Sequence, residues 1–112
     1  MKKNLILFFS LVLLAMLAVT TWASTHENII AAIKRLIVEP WMVATLFDAY
    51  FGFLTFFLWV VFKESSAFKK LIWFVAIMFL GNIAMAVYAL LEIRRLKGNF
   101  TAERFLTEKK AA

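Results

Sequence analysis

Cysteine is absent from this chain of 112 residues, and histidine and proline occur once each, at His26 and Pro40. Without cysteine there are no disulfides, no thiolate metal sites and no thiol chemistry. His26 lies outside the long apolar runs, so no run carries a ligand for haem or chlorophyll. No nucleophile–base pair, glycine-rich phosphate loop or pair of carboxylates at catalytic spacing is found. Enzymatic activity and a bound cofactor are therefore not expected.

Charge is scarce where apolar residues are dense. Hydrophobic residues make up 64% of the chain, well above the share of about 45–50% usual in soluble domains. They come in uninterrupted runs rather than on one face, which marks an integral membrane protein of the all-α class. The net charge of +6 would hint at nucleic acid in a soluble protein. No basic-aromatic motif accompanies it, so Lys and Arg are read as flanks of spanning helices that meet anionic headgroups. The expected partner is the lipid bilayer, not nucleic acid.

The chain is organised around residues 41–62, WMVATLFDAYFGFLTFFLWVVF, whose one formal charge is Asp48. As a helix this stretch is about 33 Å long, enough for a hydrocarbon core of about 30 Å. Thr45, Asp48, Gly52 and Thr55 step by three or four and so form one stripe. Residues 4–23 form a first span, Lys2 and Lys3 before it and Trp22 at its end. A secretory signal has the same outline, but this apolar run exceeds the usual 7–15 residues, which favours a retained anchor. Residues 27–38 place Ile29, Ile30, Ile33, Leu36 and Ile37 on one face, as in a helix lying in the interface. Residues 71–93 read as a third span with small residues at Ala76, Gly81, Ala84, Ala86 and Ala89. Residues 94–112 form a charged tail.

Three spans leave orientation undecided. Lys2, Lys3, Lys63, Lys69 and Lys70 share one side, against Lys34, Arg35, Arg94, Arg95 and Lys97 near the helix ends on the other. The rule that follows Lys and Arg counts gives a tie; the first helix favours the N-terminus inside, in a multi-pass protein of a bacterial inner membrane.

Asp48 is the first functional candidate, because a carboxylate inside a span is costly and needs a partner. An antiparallel third span would bring Asn82 and Tyr88 near it, and both offer a hydrogen bond. Two readings stand: a proton- or cation-handling carboxylate, and an interhelical hydrogen bond that fixes packing. Lys63 and Glu64 read as an interfacial pair in the turn after the second span. His26, Glu27, Glu39 and Glu92 gather at the opposite face but match no metal motif.

Pro40-Trp41-Met42, Ala44-Thr45-Leu46, Asp48, Tyr50, Trp59-Val60, Lys63-Glu64-Ser65, Gly81 and Tyr88 together resemble a family. It is the small integral-membrane, DUF1475-type family of bacteria and plants, a domain of unknown function, and the likeness runs from Pro40 to Leu91. The resemblance implies a membrane fold, singles out Asp48 and the Lys63-Glu64 turn, and brings no activity. The leading expectation is a non-enzymatic accessory or assembly protein that packs, onto itself or a larger complex, through the Thr45-Asp48-Gly52-Thr55 face. The second is a homo-oligomeric carrier or channel that gathers several copies of Asp48. A pore-forming lysis protein is the third.

Overall fold

The computed structural model describes residues 1–96 and 98–110. Among them it contains six helices and no strand. Helix α1 covers Lys2–His26, α2 Ile29–Leu36, α3 Pro40–Lys63, α4 Ala67–Leu80, α5 Asn82–Arg95 and α6 Ala102–Thr107. Among the described residues, α1 and α3 are the two helices long and apolar enough to cross a membrane.

Each break has a local cause. Glu27 is extended and ends α1, and the Asn28 side chain accepts the Ala31 N–H at 2.8 Å to start α2. Arg35 donates to both carboxylate oxygens of Glu27, at 2.6 and 3.3 Å, and so clamps α2 back onto the end of α1. That hydrogen bond holds the Glu27 carboxyl below its ordinary range. Pro40 occupies the first turn of α3, where its missing N–H removes no helical bond. After α3, Ser66 caps α4 through the Lys69 N–H.

The expected third span is not one helix. Gly81 interrupts it with φ +56°, and residues 71–93 are divided between α4 and α5. In a continuous helix Trp73 and Tyr88 would be about 22 Å apart along the axis; their ring centroids are 4.8 Å apart. The two helices therefore fold back on one another as a hairpin with a one-residue turn. Each has 14 residues, or about 21 Å, a length that suits a re-entrant or core helix better than a span. The turn leaves little unpaired. The Gly81 N–H donates to the Ile77 carbonyl (2.8 Å), and its carbonyl accepts from the Met85 N–H (3.0 Å). The Tyr50 hydroxyl, reaching over from α3, donates to the exposed Met78 carbonyl at 3.2 Å.

The hairpin seats on α3 through Val60, Ile77, Ala84 and Tyr88, walled by Phe53, Phe56, Phe57 and Trp73. A second cluster joins Ala89, Ile93, Leu96 and Phe105 with Leu5 and Phe9 of α1. The α1–α5 contact is the most extensive between any two helices, and alanines at 86 and 89 let the backbones approach. Trp59 packs against both clusters. The start of α1, the 64–66 turn, the end of α5 and α6 thus share one end of the molecule, with α2 at the other.

Candidate functional site

The crowded end is built from charged residues at three helix termini. Val60 at the last turn of α3 and Tyr88 on α5 are fully buried, which sets Lys63, Glu64 and Glu92 just below the apolar core. All three are at most 1% exposed. Buried charges require partners and hydrogen bonds, and these have them. The Lys63 ammonium pairs with Glu92 Oε2 at 3.1 Å. It also donates to the Phe105 carbonyl at 2.7 Å and the Arg104 carbonyl at 3.3 Å, near the end of α6. Arg95, one turn beyond Glu92, lies 2.9 Å from the same Oε2 and donates to the Glu108 carbonyl at 2.9 Å. The Tyr88 hydroxyl donates to Glu64 Oε2 at 2.9 Å.

The tail closes the cluster. Lys110 pairs with Glu64 and, at 3.1 Å, with Glu92 Oε1, while its backbone N–H donates to the Lys63 carbonyl at 2.8 Å. The Ser65 hydroxyl donates to the Lys110 carbonyl. Trp59 donates its ring N–H to the Leu106 carbonyl at 2.8 Å, and Phe105 buries its ring against that indole, centroids 5.2 Å apart. Arg104 grips Glu108 with two bonds of 3.1 and 3.2 Å, and this hydrogen bonding holds the Glu108 carboxyl low.

The sequence-predicted residues divide between two places. Lys63, Glu64 and Tyr88 belong to the cluster, yet Lys63 and Glu64 do not pair with each other. Each is buried and bonded elsewhere, so the reading of an interfacial turn pair is replaced by two buried ion pairs. Glu92, expected beside His26, Glu27 and Glu39, sits at the opposite end because the hairpin returns it to Lys63. Thr45, Asp48, Gly52 and Thr55 are all exposed along α3. The two threonine hydroxyls donate to the carbonyls four residues earlier, Trp41 at 2.8 Å and Phe51 at 2.9 Å. The Asp48 carboxylate has no hydrogen bond or ion pair among the described residues. Asn82 is exposed at the hairpin tip, and Tyr88 lies level with Trp59, about 16 Å along α3 from Asp48. The expected Asp48–Asn82–Tyr88 contact is thus not made.

Sequence reasoning missed Arg95, Lys110 and the buried Phe105. The available signal was the spacing of Glu92 to Arg95 and Arg104 to Glu108, three and four residues apart on helical faces.

Fold and cluster together define a small all-helical chain with two candidate membrane spans, a folded-back helical hairpin and a tail bonded over a buried charge cluster. Over residues 4–103 it matches the family described as "Protein of unknown function (DUF1475)", and it belongs to that family. The match takes in most of α1 and the start of α6, more than the region from Pro40 to Leu91 that carries the resemblance. No curated protein and no solved structure matches the chain.

Proposed function

We propose that this protein is a non-enzymatic accessory subunit of a bacterial inner membrane, docked onto a larger complex through the Thr45-Asp48-Gly52-Thr55 face of α3. Asp48 carries the reading. Its carboxylate is exposed and unpartnered in the single chain, on a helix apolar enough to span. Against lipid such a group costs about 2.5–3.5 kcal/mol near a helix centre, so another protein surface covers it. Gly52 on the same face has nothing within 4 Å of where a Cβ would stand, leaving room for a neighbouring backbone.

In this reading α1 and α3 cross the bilayer, α4 and α5 enter and leave from one side, and α2 lies in the opposite interface. Non-helical backbone at membrane depth is tolerated where protein buries it, and Gly81 is buried with its own N–H and carbonyl bonded. The hairpin also removes the tie in the charge count. Lys2 and Lys3, then Lys63, Lys69 and Lys70, then Arg94, Arg95, Arg104, Lys109 and Lys110 fall at one end. Lys34 and Arg35 alone are at the other among the described residues. Ten against two supports an arrangement with that end inside.

Native mass spectrometry of the tagged protein from mild detergent tests the docking face. A stoichiometric foreign subunit, lost in Asp48→Leu combined with Gly52→Leu, is the expected result. A defined homo-oligomer held by the same face would move the reading to a carrier or channel, which the open space at Gly52 also suits. A monomer throughout would contradict both.

A further inference from the structure

Lys110 is held as a ligand would be. Its ammonium lies against two carboxylates, Glu64 and Glu92, and stands 5.2 Å from the centroid of the Tyr88 ring. Two anions and an aromatic face are the features that recognise an ammonium ion. All three receptor side chains are fully buried, whereas Lys110 is 22% exposed. The receptor is also not used up. Glu64 Oε1 is buried and has no hydrogen-bond partner among the described residues, although such an atom ordinarily finds one. An ammonium offers three donors.

Residues 105–110 are held mainly by hydrogen bonds, to Trp59, Lys63, Ser65 and Arg95, whereas the receptor is held by apolar packing. Lys63, Glu64 and Glu92 belong to α3, its cap and α5, which the core clusters fix. Lys110 lies in a segment whose one buried apolar anchor among the described residues is Phe105 in the six-residue α6.

We propose that Glu64, Glu92 and Tyr88 form a binding site for a primary ammonium group, filled in cis by Lys110, and that residues 105–110 are a strap displaced when such a group binds. Two sources carry this chemistry: a small soluble amine and the aminoethyl headgroup of a phospholipid. The inference needs neither the docking face on α3 nor an oligomer.

The test uses the full chain with Lys110→Ala, purified in mild detergent, and n-butylammonium as the probe. The substitution should lower Tm, and millimolar n-butylammonium should restore most of the loss. Tetramethylammonium, which has no N–H donor, should restore none, and Lys110→Ala with Glu64→Gln should not respond to either. For a headgroup source, Lys110→Ala is reconstituted in vesicles of phosphatidylethanolamine or of phosphatidylcholine. Greater stability in the former, with no added gain from the soluble amine, assigns the lipid. Equal stability in both, with a gain from the amine, assigns the soluble ligand. Equal rescue by both ammonium ions, or none by either amine or lipid, overturns the proposal. Should Lys110→Ala not fold, hydrogen exchange of residues 105–110 in the unmodified protein decides. Exchange must rise with n-butylammonium and not with tetramethylammonium; an unchanged rate refutes the strap.

Discussion

Lys63→Ala is expected to lower the unfolding free energy by about 3 kcal/mol, at the low end of the range for breaking a buried ion pair. The ammonium it removes serves three acceptors at once: Glu92, the Phe105 carbonyl and the Arg104 carbonyl. The Phe105 carbonyl, whose bond to Lys63 is buried, loses that donor, while the Arg104 carbonyl keeps the Glu108 N–H. Glu92 keeps Arg95 and Lys110, which is why the upper end of the range is not expected. Lys63→Met should lose nearly as much, because it restores the stem and not the charge. Lys69→Ala, at an exposed position in the next helix, should fall within about 0.5 kcal/mol of the parent. Denaturant titration in one detergent measures all three. A Lys63→Ala loss no larger than that of Lys69→Ala would show that the cluster contributes nothing to folding.

The second large effect belongs to Gly81. An alanine there meets two separate penalties. Its φ of +56° is strained for any residue with a Cβ, a cost of about 1–3 kcal/mol. The new methyl would also stand 2.7 Å from Cζ of Phe53, and forcing a ring out of a packed contact typically costs a further 1–3 kcal/mol or so. Gly81→Ala should therefore destabilise by about 2–6 kcal/mol, the sum of these ranges. Gly52→Ala is the control. Gly52 is inside α3 with open space around it, so replacement should stabilise the single chain by about 0.5–1 kcal/mol through helix propensity alone. Similar effects of the two substitutions would mean that Gly81 is not a turn.

These two sites also show what the residues made legible. The long helices around Phe8 and Phe51 are plain because their apolar runs are unbroken over a span's length. Helix α2 follows from its isoleucine spacing and its Asn28 cap. The third run misled because composition registers apolar length and not direction. Gly81-Asn82 at its midpoint reads equally well as a close-packing position and as a turn, and the contact that distinguishes them comes from Phe53, 28 residues earlier. Read as one straight helix, residues 71–93 put Glu92 at the other end, aim Tyr88 at Asp48 and balance the basic residues. The tail is harder still. Lys110 reaches Glu64 across 46 residues, a separation at which no local spacing rule operates.

The central claim is that the chain turns back at Gly81, which in the proposed arrangement puts residues 3 and 109 on one side of a membrane. The lack of cysteine provides a clean background for testing it. Single substitutions Lys3→Cys, Thr25→Cys and Lys109→Cys, all at exposed positions, can be probed in intact cells with a membrane-impermeant maleimide. Lys3→Cys and Lys109→Cys should both stay unlabelled until the cells are opened, and Thr25→Cys should label at once. Labelling of Lys109→Cys from outside, with Lys3→Cys still protected, would mean three straight spans and would contradict the hairpin.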